Sequence, residues 1–181
     1  AIGTMIQRFQ LMEADFRGNV MAESTTLQKG NNDLLNLTRP DVVREIHRRY
    51  LEAGADFIET NTFSSQRISM SDYGCEHLCT QLNIEGARLA RAEADFFTKQ
   101  TPDKPRYVLG SVGPTNRTCS LSPDVSDPAL RTLDFDTLSA AYREQMAALI
   151  DGGVDGFIIE TAFDTLNAKA ALCAAADVMQ E

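Results

Sequence analysis

One interval in this chain restricts its fold more than any other feature. Short apolar runs open at Phe57, Tyr107 and Phe157, fifty residues apart each time. Two of the junctions read alike: AGADFIETNTF at 53–63 and GGVDGFIIETAF at 152–163. Each carries a helix-ending glycine, an aspartate, an apolar core and then Glu-Thr. Between the runs, residues 40–53, 76–98 and 134–150 show helical spacing of apolar residues, and an Ala-rich helical stretch runs from Thr165 to the last residue. In the first of these, Val42, Val43, Ile46, Tyr50 and Leu51 mark the face, Pro40 suits a first turn and Gly54 a stop. A buried strand joined to a helix and repeated is a βα unit, and such units build parallel sheets. The spacing predicts an α/β chain of about four long βα units. GTMIQRF is expected to finish a first strand and enter a helix. Each run ends in polar residues: Glu59-Thr60-Asn61, Ser111, and Glu160-Thr161. The carboxyl ends of parallel strands are where α/β folds place their chemistry.

At 181 residues with 43% apolar content, the chain holds one domain's worth of core. Lys and Arg number 17 against 26 Asp and Glu, a net charge of −9, which argues against nucleic acid as a partner. No apolar run reaches the length of a membrane span, and AIGTMIQRF lacks the pattern of a signal peptide. A cytoplasmic location follows as the expectation, with Cys75, Cys79, Cys119 and Cys173 as free thiols. Cys75 and Cys79 share a helical face while His77 between them does not, which fits core packing better than a metal site. No set of cysteines and histidines has metal-site spacing, so no tight zinc site is expected in this chain. His47, inside the charged stretch REIHRRY, is expected at the surface.

Dinucleotide and P-loop motifs are absent, as is HExxH. Glu59 and Glu160 each follow an apolar strand core, where a carboxylate can bind an ammonium, act as a base, or pair with an arginine at the rim. SVGPTNRT at 111–118 reads either as a tight βα turn or as a loop facing the substrate. The polar stretch from Gly18 to Asn36 reads as an ordered excursion.

In order along the chain, GTMIQ, EADFRG, KGNNDLL, EAGADFIETNTF, KPRYVLGSVGPTNRT, SPDVSDPA and IIETAFDTLNAKAA resemble the front of the homocysteine-binding domain of cobalamin-dependent methionine synthases. The likeness runs from the first residue to the last. It implies a parallel (βα)8 TIM-type barrel, with residues 1–181 as its N-terminal half and no second domain. It implies an enzyme in which zinc holds homocysteine as a thiolate. The methyl group comes from methylcobalamin, ultimately from methyltetrahydrofolate, and the product is methionine. On this resemblance Glu160 binds the substrate amine and Thr60 belongs to the substrate pocket. The backbone N–H groups of Ala1 and Ile2 lie near the substrate carboxylate. The family's zinc ligands are cysteines of a later region, two of them adjacent in GGCCGT, and lie beyond residue 181. Neither zinc nor methylcobalamin is therefore expected on this chain by itself, which is expected to be inactive alone. The implied partners are homocysteine and the folate, cobalamin and reactivation modules. Shorter homocysteine methyltransferases that use betaine or S-methylmethionine share the domain; KGNNDLL and GPTNRT favour the cobalamin enzymes. A stand-alone α/β binding module is the reading from another class. A half-barrel exposes unpaired sheet edges, so self-association through them is expected.

Overall fold

The computed structural model describes residues 1–180. Its first part is helical: α1 (Ile2–Gln7), α2 (Glu13–Arg17), a 3-10 turn at Asn32–Leu34, α3 (Leu35–Thr38) and α4 (Pro40–Glu52). Then follow β1 (Phe57–Glu59), α5 (Arg67–Met70), α6 (Cys79–Gln100), β2 (Tyr107–Val112), α7 (Phe135–Gly152), β3 (Gly156–Ile159) and α8 (Thr165–Val178). Helix ends obey local chemistry. Pro40 opens α4, where its missing N–H has no helical partner to lose. Asp134 caps α7 by accepting from the Thr137 N–H, and Asp164 caps α8 by accepting from Leu166 and Asn167.

The strands form one parallel sheet in the order β1-β2-β3. Phe57 pairs with Tyr107, Ile58 with Val108, and Val112 with Ile159. Parallel strands in chain order, joined by crossovers of one hand, place every connecting helix on the same face. The packing agrees. Ile58 and Val108 pack with Leu51 of α4 and with Ala90 and Ala94 of α6. Val112, Phe157 and Ile159 pack with Leu138, Met146 and Leu149 of α7 and with Ala170 and Ala174 of α8. Fully burying a side chain such as Leu149 is worth roughly 1.5–3 kcal/mol. The alternate residues point to the opposite, open face. There Phe57 stacks on Tyr107 with ring centroids 5.3 Å apart, and both stay exposed.

Several expectations need correction. GTMIQRF lies in α1 and contains no strand, because Ile6 is drawn into a cluster with Phe16, Leu35 and Ile46. The described residues hold three strands rather than the first four βα units of a barrel. Among the described residues the strands form one open three-stranded sheet. His47 is buried at 1% exposure, because α4 places it on the same face as Val43 and Leu51. The last helix ends at Val178, and Glu181 lies outside the described residues. The segment after β2 is no tight turn. It runs without regular structure to Asp134 and is pinned onto α8: Asn167 accepts from the Cys119 N–H and donates to the Arg117 carbonyl.

Candidate functional site

A cavity of about 380 Å³ lies at the carboxyl ends of the strands, on the open side of the sheet. It gathers the residues the sequence singled out. Ala1, Ile2, Glu59, Thr60, Ser111, Glu160 and Thr161 all line it. From the amino-terminal excursion come Asn31, Asn32 and Asp33, and Asn61, Phe63, Ser64, Met70 and Tyr73 add to the wall. Among the described residues no Lys, Arg or His side chain lines the cavity.

Glu160 is set one residue past β3, its N–H still donating to the Val112 carbonyl at 3.1 Å. Its Oε1 accepts from the Ser111 hydroxyl at 2.7 Å. Ser111 is only 2% exposed and is itself held on both sides. Its N–H donates to Thr60 Oγ1 at 3.0 Å, and its carbonyl accepts from Thr62 Oγ1 at 2.9 Å. The Thr60 and Thr62 hydroxyls are 2.6 Å apart. Since the single Thr62 proton goes to the Ser111 carbonyl, Thr60 is the donor in that pair. The Thr60 hydroxyl is thus spent inside the wall rather than offered to the cavity. Gln145 of α7 reaches the same knot, donating to the Thr62 carbonyl at 2.8 Å. Two close approaches make room for it. A Cβ at Gly86 would lie 2.7 Å from the Thr62 methyl, and one at Gly113 would lie 2.5 Å from the Phe63 carbonyl oxygen. Thr161, next to Glu160, has φ 57, a left-handed conformation that a β-branched residue rarely takes.

Electrostatically the cavity is acidic. Burial, and then the nearby Glu160, raise the pKa of Glu59 from its ordinary value. Asp33 is a residue whose role the sequence left open. It sits in KGNNDLL, 5% exposed, and its Oδ2 accepts from the Ser64 N–H at 2.6 Å and the Ser65 hydroxyl at 2.9 Å. Burial pushes its pKa up to about 6 despite those two donors. The signal was present in the sequence only as one acid within a polar run, and nothing there showed that it would be enclosed. Of SVGPTNRT, Ser111 faces the cavity, while Thr115 bonds to Asn167 away from it.

The cysteines take no part. Cys75, Cys79 and Cys119 are buried, Cys173 is exposed, and all four are free. Burial pushes Cys75 up to about 11 and Cys79 up to about 12, away from the thiolate a metal requires. Among the described residues no group of three His, Cys, Asp or Glu side chains could hold a metal ion. The residues described thus do not fit a zinc site. No helix among them is long and apolar enough to cross a membrane.

Compared with known families, the sequence matches the family model described as homocysteine S-methyltransferase over residues 1–180. The chain belongs to the homocysteine S-methyltransferase family. Three solved structures of one protein, the homocysteine methyltransferase MmuM from Escherichia coli, share its fold. The metallated form aligns with TM-score 0.70 at 20% identity, covering 96% of this chain and 57% of that one. The oxidized form gives 0.65 at 21% over 86% and 55%, and the apo form 0.64 at 20% over 98% and 53%. This homocysteine S-methyltransferase chain therefore spans a little over half the length of the solved proteins it resembles.

Proposed function

We propose that this chain supplies the amine-recognising side of an enzyme that transfers a methyl group to the sulfur of homocysteine, giving methionine. One observation supports the reading most. Glu160 stands at the carboxyl end of a parallel strand, held through one oxygen by a buried serine, in a cavity lined by no cationic side chain. An α-ammonium group placed against it makes a charge-assisted hydrogen bond, worth roughly 1.5–3 kcal/mol. The N–H groups of Ala1 and Ile2, which line the same cavity, are assigned to the substrate carboxylate by resemblance. In the transfer the thiol sulfur gives up its proton and attacks the methyl carbon, and the methyl–donor bond breaks with its electron pair left on the donor. Since the described residues do not fit zinc, we assign thiol activation to residues outside this set.

On the same basis the sheet is read as one arc of a (βα)8 barrel, residues 1–181 being its N-terminal half. Chain-order parallel strands with the long helices α4, α6, α7 and α8 on one face suit a barrel better than a doubly wound sheet, which places helices on both. The donor is proposed to be methylcobalamin, on the strength of KGNNDLL and GPTNRT; betaine or S-methylmethionine is the alternative. In KGNNDLL, Asn31 donates to Gln28 and Cys75, and Asp33 accepts from Ser64 and Ser65. In GPTNRT, Thr115 donates to the Arg117 carbonyl and Asn116 to Asp72.

The test uses the complete enzyme, with homocysteine compared against the thiol that lacks its amino group. Glu160→Gln should raise KM for homocysteine about ten- to a hundredfold and leave the des-amino thiol little changed. Equal KM values for homocysteine in both enzymes would contradict the reading.

A further inference from the structure

We infer that Ser111 is the positioning residue for Glu160, locking one carboxylate oxygen so that the other is presented to the substrate ammonium. The inference rests on the amine-binding reading of Glu160 and extends it to a residue that no resemblance assigns.

Ser111 is the one buried hydroxyl of β2, in a strand otherwise built from Tyr107, Val108, Leu109, Gly110 and Val112. Its hydroxyl has one proton, and that proton goes to Glu160 Oε1 at 2.7 Å. Glu160 Oε2 has no hydrogen-bond partner among the described residues, and Glu160 lines the cavity. A free glutamate side chain samples several rotamers, and binding an ammonium must then offset that lost freedom. A carboxylate already held at one oxygen has lost part of it before the ligand arrives. The serine is well placed for the task because its own backbone is held on both sides. Its N–H is tied to Thr60 and its carbonyl to Thr62, while Gln145 of α7 ties Thr62 in turn. The orientation of Glu160 thus traces back through β2 and the residues just after β1 to helix α7. This also gives Thr60 a role that its buried hydroxyl can perform: it holds the residue that holds the acid.

The experiment uses the complete enzyme and reads KM and kcat for homocysteine and for the des-amino thiol in Ser111→Ala, Ser111→Thr and Glu160→Gln. Ser111→Ala should raise KM for homocysteine roughly tenfold, with the loss in KM rather than in kcat at saturation. The des-amino thiol should be unaffected, and Ser111→Thr, which keeps the hydroxyl, should restore KM for homocysteine. Melting temperature reports on folding; should Ser111→Ala fail to fold, Ser111→Cys, a weak donor of similar size, makes the same comparison. Equal losses on both thiols, or no loss on either, would overturn the inference. Should Glu160→Gln impair homocysteine while Ser111→Ala does not, the inference falls and the amine-binding reading stands. If Glu160→Gln has no effect, both fall.

Discussion

Burial favours the neutral form of two side chains and so moves their pKa values in opposite directions, and the consequence is measurable. Burial raises the pKa of Asp33 from its ordinary 3.8 to about 6 in the fold, so between those values the native state holds more protons than the unfolded one. Its contribution to stability is full below about pH 4 and is lost as the pH rises through 6. His47 lies at about 4 in the fold against 6.5, mainly through burial, so here the unfolded state holds more protons. Its contribution is full above pH 6.5 and is lost as the pH falls through 4. The two slopes oppose each other over the same window, each worth up to roughly 3 kcal/mol. Asp33→Asn should therefore leave a protein whose denaturant-midpoint stability climbs more steeply from pH 4 to 6.5 than the parent's. A parallel pair of curves would contradict the burial argument for Asp33. At this scale the sequence was uneven. Glu160 could be picked out because a polar residue after an apolar run marks a strand end. His47 was misplaced by its charged neighbours, although Val43 and Leu51, four residues to either side, share its face. Which way the Thr60 hydroxyl turns depends on Ser111, a partner fifty-one residues away, and no local pattern carries that information.

Among elements, the strands and long helices were legible because their apolar periods are strong, and their bounds moved by only a few residues. The failures are at short elements. Six residues, Ile2–Gln7, satisfy either a strand or a helix pattern, and only the packing of Ile6 against α4 decides. SVGPTNRT read equally as a tight turn or a substrate-facing loop, and the long segment that follows has its anchors on α8. The strands also predict behaviour. Neither β1 nor β3 has a second neighbour among the described residues. A slot of about 200 Å³ bordered by Tyr50, Phe57 and Ile58 lies along the edge of β1. A groove of about 460 Å³ lined by Ile150, Phe157, Leu172 and Met179 lies beside β3. Unpaired N–H and C=O groups next to apolar surface recruit other chains. A polypeptide of these 181 residues alone should therefore self-associate at micromolar concentration in light scattering. A monodisperse monomer with one cooperative thermal transition would contradict the open-arc account and favour a self-contained binding module.

For the molecule as a whole, the three apolar runs fifty residues apart, two of them in repeated junctions, predict a parallel α/β architecture with Glu59, Thr60, Ser111 and Glu160 at one end of it, where the cavity gathers them. What they could not convey is how the cavity is closed at the back. Asp33, Asn61 and Ser64 come from two loops joined by hydrogen bonds, and loop–loop contacts leave no periodic trace. The chain spans 53–57% of the MmuM structures it matches, so the activity proposed belongs to the complete enzyme. The most direct test of the account is a crystal structure of that enzyme with homocysteine bound. The account predicts the substrate ammonium about 2.7–3.1 Å from the carboxylate of Glu160, with the Ser111 hydroxyl still on the other oxygen. Homocysteine bound elsewhere, or with its amino group turned away from Glu160, would contradict it.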